Sequence, residues 1–562
     1  MRVCAGIAIA ALLAGAVFGQ STETAPKFEV ADIHSSPRTT QPFVRGPFYN
    51  SGRYELRFAT MLDLVRTAYG VDPEKVIGGP NWIEMDRFDV FAMAPGSSNA
   101  ESRKLMLQAL LADRFKLVTH KDSKPIAAFA LKASKKTQLK EVEGNGANGC
   151  NFAVQNTTPP SPGGGPPTGP INLPVIVYTC HNTTMAAFAD GMLSMAGAGQ
   201  YFNNRLVVDQ TELQGSWDFT FKFTPKVPAG LTTVGENIPL FDALEKQLGL
   251  RLEAATVPMP VIVVDSVNQK PTDNAPEVAK SFPPLPTEFD AAEIKPAVAQ
   301  TGGRGGALAR PEIKNGRIYV PNITLKNLIT LAWDINGDDM MSGAPKWLDS
   351  DRFDLIAKAP AGVAIGDLTP SRTAVPVNIE ALRPMIKALI VERFKLQVHM
   401  ESKPIAAYTL VAAKPKLKKA DPAARTKWQE GALPDSKDSK NANPALGRLV
   451  TCQNVTMAQF AQLLPVIAPG YLHTEVTDAT GLEGGWDFTF SFSPAGILQL
   501  NGAQAGEGGA SSAGPVGEAS VPSGAVSLFD AMTRQLGLKL EMQKRPTPVL
   551  VIDHIEQKPT DN

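Results

Sequence analysis

Cysteine, histidine and net charge are what this chain has least of. Among 562 residues there are 4 Cys and 6 His, and they form no CxxC, no HExxH and no cluster with zinc spacing. Zinc modules and zinc peptidases of those types are excluded, and no metal or cofactor is expected. Lys+Arg 55 cancel Asp+Glu 55. A nucleic-acid binder would carry a basic excess, so no nucleic-acid partner is expected. Beyond the N-terminus no stretch is apolar enough to span a bilayer. There is no G-x-S-x-G elbow. Gly144-x-Gly146-x-x-Gly149 spells the dinucleotide fingerprint, but it follows no strand pattern and opens no helix pattern. Gly302-Gly303-Arg304-Gly305-Gly306 lacks the GK[ST] of a phosphate loop.

What is present begins with MRVCAGIAIAALLAGAVFGQ, in which Arg2 precedes an apolar run from Ala5 to Phe18. Val17 and Gly19 are small enough for cleavage near Gly19 or Gln20, so a signal peptide over 1–20 is expected. The alternative is an uncleaved anchor, for which the run is short. Export places the mature chain in the periplasm or outside the cell. Cleavage leaves Cys150, Cys180 and Cys452. Cys150 and Cys180 can close a loop as a disulfide, or all three can be separate thiols.

The chain repeats itself. QKPTDN occurs at Gln269–Asn274 and again at Gln557–Asn562. Upstream, VIVVDSV pairs with VLVIDHI, LFDALEKQLGLRLE with LFDAMTRQLGLKLE, and GSWDFTFKFTP with GGWDFTFSFSP. TCHNTTMAAFA pairs with TCQNVTMAQFA, and RFKLVTHKDSKPIAAFAL with RFKLQVHMESKPIAAYTL. The spacing between partners changes mainly in Gly/Pro/Asn-rich stretches, at 137–175, 415–447 and 494–526, which are expected to be surface loops. This division predicts a first unit over 27–274, a Pro-rich linker over 275–287 and a second unit over 288–562.

Each unit divides again. FEVADI and GRYELRF alternate like strands, and Thr60 caps a helix whose Met61, Leu64, Val65 and Ala68 share a face. Thr324, Thr184 and Thr456 stand at the same place in three further segments. RFDVFAMAP reads as a strand and SRKLMLQALLADRF as a helix. KLVTH and IAAFALKA read as a hairpin turning at KDSKP, and LFDALEKQLGL as a helix ending at Gly249. The expected fold class is α+β: two homologous tandem units, each built from two small split βαβ-type halves with helices packed on one face of a sheet.

The set GGPNWIEMDRFDVFAMAP, ADRFKLVTHKDSKPIAAFAL, NTTMAAFA, VVDQTELQGSWDFTFKFTP and LFDALEKQLGLRLE resembles a paralogous family of exported proteins of unknown function typical of soil Acidobacteria (Solibacter-type). Relatives of the domain are similar to modules attached to membrane-bound metallopeptidase sensors of the antibiotic-receptor type. That resemblance implies a sensing or binding role; the peptidase motif is absent, so peptidase activity does not carry over. The second halves also look like the periplasmic protein-contact domains of TonB receptors and secretins.

Residues that recur in both units are the candidates for a site. Asp86, Arg87 and Asp89 return as Asp351, Arg352 and Asp354, and either bind a polar ligand or pair along a strand edge. Trp82 and Trp347 precede them in G-[GA]-P-x-W, as anchors after a turn or as an aromatic platform. His120 and His399 both precede SKP without a Ser or Cys nucleophile at a recognisable motif. Asp218 and Asp487, each after a Trp, read as turn-capping groups. The expected function is non-enzymatic binding or sensing at the envelope, in duplicate, with an envelope protein or small ligand as partner. The alternatives are a hydrolase using His120 or His399, and a structural spacer.

Overall fold

The computed structural model describes residues 26–560, apart from 38, 40–41, 51, 145–147, 156–170, 203–204, 227–232, 235, 283, 298–310, 336, 362, 364, 367–376, 431–447 and 496–525. The expected signal peptide, the Gly302–Gly306 run and most of the 494–526 loop lie outside the described residues.

The chain folds as a mixed α+β protein with two like units, and each unit has two lobes around separate apolar cores. The N-lobe of the first unit is an antiparallel sheet in the order Val30–Ser35, Arg87–Met93, Arg53–Thr60, Arg45–Asn50. Helices Met61–Tyr69 and Ala100–Arg114 cover one side of it, burying Met61, Leu64, Val65, Leu107 and Leu111. The C-lobe sheet runs Lys140–Val142, Ser216–Phe223, Val175–Thr183, Gly149–Gln155. Helix Met185–Gly191 and the turn Leu240–Leu248, which is α and then π, pack on it through Phe188, Leu240 and Leu244. The second unit repeats both sheets.

The lobes are joined by a ribbon. Val118–Ala133 is one unbroken strand, paired antiparallel over its length with Leu250–Ser266. The KDSKP stretch is therefore no hairpin turn; it is the middle of the strand. Pro125 stands opposite Pro258, and in the second unit Pro404 stands opposite Pro546. On one side of this point Val76–Gly78 flanks the ribbon, and on the other Leu206–Asp209 does, both parallel to their neighbours. Among the described residues no third strand flanks the ribbon at the crossover, so a missing proline N–H disturbs no outer ladder. The prolines that look like a turn signal mark the passage from one lobe to the other.

All four lobes share one local device. Before each capped helix the strand bulges, at Phe58, Asn182, Asn322 and Asn454, and each of these residues has positive φ. Asn tolerates that region better than most residues, which accounts for three of the four. An Asp on the neighbouring strand accepts the bulged N–H: Asp89 from Phe58 at 2.8 Å and Asp218 from Asn182 at 2.8 Å. Asp354 accepts from Asn322 at 2.9 Å and Asp487 from Asn454 at 2.9 Å. Two residues after the bulge the Thr side chain caps the helix, from Thr60, Thr184, Thr324 and Thr456. The bulge leaves one N–H outside the ladder, and the carboxylate takes it up.

Cys150 and Cys180 are bridged and lie directly opposite on adjacent strands. At the corresponding place in the second unit Cys452 faces Trp428, so the ring replaces the second cysteine. Cys452 is free and buried, and burial pushes its thiol far above the usual range. The hexapeptide ends each ribbon by folding back. Thr272 N–H donates to Arg114 O at 2.8 Å, and Thr560 N–H to Arg393 O at 2.8 Å. The Arg114 guanidinium in turn donates to Thr272 Oγ1 and Asn274 Oδ1, while Asn274 bridges to the N–H and C=O of Ile33. The tail is a clasp that ties the last strand to the long helix and the first strand. The final two residues of its second copy lie outside the described residues.

Candidate functional site

The two units meet at the N-lobe of the first. Arg45 and Arg57 both reach Glu380, at the start of the helix Ile379–Arg393, with Arg57 Nη1 donating to Oε2 at 3.1 Å. Arg383 holds the same carboxylate at 2.9 Å. A second contact comes from the C-lobe of the second unit, where Arg425 Nε lies 2.6 Å from Glu84 Oε1 and Arg425 Nη1 donates to Val76 O at 3.0 Å. Thr426 N–H donates to Asn81 O, and Met85 packs on the apolar core of that lobe. Burial pushes the Glu84 carboxyl up, against the opposing pull of Arg425.

Between the units lies a cleft of about 580 Å³. The first unit contributes Ser35, Ser36, Glu84, Asp86, Arg87 and Gln269; the second contributes Trp428, Gln462, Leu463, Glu475, Thr477 and Asp478. Nothing in the sequence marks this concavity, because Glu380, Arg425 and Gln462 carry no motif.

The expected site residues divide among different places. Asp86 and Arg87 line the cleft, yet both are engaged internally. Asp86 accepts from Gln269 Nε2 at 2.5 Å, and Arg87 donates to Phe58 O at 2.7 Å. Burial lowers the pKa of Arg87, with Asp63 opposing. Asp351 repeats the first contact with Gln557 at 2.8 Å, and Arg352 the second, more loosely, with Asn322 O at 3.4 Å. Asp89 is 1% exposed and takes Phe58 N–H, Ser36 Oγ and Arg57 Nε; Asp354 plays the same part on Asn322. Trp82 packs on the N-lobe core, edge-on to Phe88 at 6.3 Å, and Trp347 packs on the corresponding core.

His120 and His399 lie elsewhere, on the ribbon. His120 Nδ1 is 2.9 Å from Asp265, and His399 Nδ1 is 2.8 Å from Asp553. Both rings are about half exposed, and neither borders the inter-unit cleft. Asp265 and Asp553 were not among the expected residues; they recur four residues before each QKPTDN, the one sequence signal that marks them. Among the described residues no group of three or more His, Cys, Asp or Glu could hold a metal, and no helix is long and apolar enough to cross a membrane.

Fold and contacts define a tandem duplication of a two-lobed α+β unit. The chain belongs to the family described as protein of unknown function (DUF3738), whose model matches residues 62–267 and again 326–555. The two matched segments fall on the two units. No curated protein matches the chain, and no solved structure does.

Proposed function

We propose that this is a non-enzymatic binding protein of the cell envelope whose ligand enters the cleft between its two units. The observation that carries this is the cleft itself: its size falls in the range of about 300–1,000 Å³ common for ligand sites, and both units line it. Its lining combines carboxylates, amides and hydroxyls with the cations Arg87 and Lys270 and apolar side chains such as Trp428 and Leu463, and among the described residues it contains no His or Cys. Such a surface, with acceptors and donors both present, suits a polar small molecule or a polar peptide side chain. The Cys150–Cys180 bridge supports an oxidising, exported location, in line with the signal-like N-terminus. Each half keeps the strand–helix–strand order expected of a split βαβ layer, with the flanking strands paired antiparallel instead of parallel.

Filling the cleft tests the reading. Gln462 is exposed on the helix Met457–Ile467, so Gln462→Trp adds bulk without touching a core. Immobilised wild-type chain retains a component of envelope extract that the variant does not. Equal retention by both, or none by either, counts against the proposal. The recurrence of the His–Asp pairs supports a second reading, acid–base catalysis on the ribbon. A His120→Ala/His399→Ala chain compared with wild type on ester, amide and glycoside substrates decides it: activity lost with both imidazoles is required.

A further inference from the structure

We infer that the outer face of the N-lobe sheet in the second unit docks an extended peptide of a partner polypeptide, one bearing an acidic residue and, two positions along, an aromatic one. The register builds two rows of side chains on this face. Lys314, Arg317 and Lys358 stand opposite one another across three strands. Two residues along, Glu312, Tyr319, Ile356 and Glu293 form the next row. Together they line a cleft of about 1080 Å³ in which Ile356 is 39% exposed. Among the described residues the lining is the sheet itself.

Three cations directly opposite one another repel, and a carboxylate laid on them would relieve the repulsion. Lys358 has Asp290 only at 3.9 Å, and Glu293 of the second row is turned to Lys295 at 3.4 Å. Tyr319 and Ile356 offer an apolar surface beside the cations. The rows are two residues apart, about 6.7 Å, which is also the distance between side chains i and i+2 of an extended peptide.

The first unit shows what such a face accepts. Phe91 stands there between Asp32 and Glu55, in the register that Ile356 occupies between Glu293 and Tyr319. Arg53 corresponds to Arg317. The face is covered by the linker: the turn Val278–Ser281 lies against Val30–Ser35, and the Phe282 ring sits 6.3 Å from Phe91 with the Arg53 guanidinium 5.6 Å from its centre. There Arg53 is already paired with Glu55 and faces Met93 across the strands. In the second unit Tyr319 replaces that Glu and Lys358 replaces that Met, so the occupant must bring its own carboxylate. This face shares no residue with the inter-unit cleft and does not rest on that reading.

The test uses the full chain and a fluorescein-labelled Gly-Ser-Glu-Ala-Phe-Ser-Gly peptide, read by anisotropy at low salt. Saturable binding is expected, weakened about tenfold or more by Arg317→Glu or Ile356→Asp and lost when the peptide Phe becomes Ala. Both protein substitutions fall on the outer face, and circular dichroism matching wild type shows that the fold is kept. Gln462→Trp leaves peptide binding unchanged, so the outcome is separate from that of the inter-unit cleft. No saturation by about 1 mM peptide, equal binding of the Phe-to-Ala peptide, or indifference to both protein variants would overturn the inference.

Discussion

Replacing Asp89 by Ala should damage the first N-lobe far more than the same change at Asp354 damages the second. Asp89 is buried, and its Oδ1 accepts from Phe58 N–H at 2.8 Å and Ser36 Oγ at 2.6 Å; its Oδ2 lies 3.4 Å from Arg57 Nε. Hydrogen bonds to a charged group contribute roughly 1.5–3 kcal/mol each, and truncation also strands a buried N–H at the bulge. Two good bonds and one long one give a cost of about 3–5 kcal/mol. Asp89→Asn keeps one oxygen to accept from Phe58 and Ser36 but turns an amide NH2 toward Arg57, losing the charge and the acceptor at the long contact, so about 1–2 kcal/mol is expected. Asp354 is half-buried and makes the bulge contact at 2.9 Å, so Asp354→Ala should cost about 1 kcal/mol. Because two units need not unfold together, guanidinium unfolding should be paired with hydrogen exchange read on peptides covering 53–60 and 316–324. Faster exchange confined to 53–60 in Asp89→Ala is the expected result. If the two Ala variants cost the same, or 53–60 stays protected, the clamp reading is wrong and Asp89 is free for another role.

Other outcomes follow from the same structure. Reducing the Cys150–Cys180 bridge, which closes a separation of 30 residues, should destabilise the first C-lobe by about 3–4 kcal/mol; mass mapping after alkylation should show Cys452 unmodified until the chain unfolds. Gly537→Ala should be among the most harmful single changes, above about 2 kcal/mol, because Gly537 has φ 67° and a Cβ there would run into the Lys414 carbonyl oxygen; thermal unfolding reads it. Glu84 supplies a pH signature. Its carboxyl pKa is raised by burial, so the folded state prefers the protonated form, and this contribution to stability is fully present below the ordinary carboxylate pKa and lost as pH rises through the raised value. Mild acidification should therefore leave the inter-unit contact intact, and Glu84→Gln should not loosen it at neutral pH, whereas Arg425→Ala should. Small-angle scattering of each variant checks this, and expansion of Glu84→Gln alone would contradict it.

Much of the fold was legible because it rests on local rules repeated in the chain. Threonine caps, helical stripes and alternating strands appear at Thr60, Thr184, Thr324 and Thr456 with their helices where the spacing puts them. The ribbon was misread at KDSKP for a physical reason. A proline inside a strand signals a turn unless the outer edge of that strand, away from its paired neighbour, carries no further strand at the same point, and that is a property of the assembled sheet. The recurring Asp and Arg residues were legible as a pattern, but whether they face ligand or backbone depends on which N–H the bulge leaves unpaired.

The duplication, the helix and strand periods and the clasp sequence QKPTDN are written in the chain, since each depends on neighbours a few residues away or on a literal repeat. Three things were decided only by tertiary structure. The inter-unit cleft exists because Glu380 and Arg425 cross to the first unit, and neither belongs to a motif. The Cys150–Cys180 bridge depends on two strands being in register. That the second unit's sheet face is uncovered among the described residues follows from the linker lying on the first: Arg53 and Arg317 occupy the same position, and Phe282 sits beside Arg53.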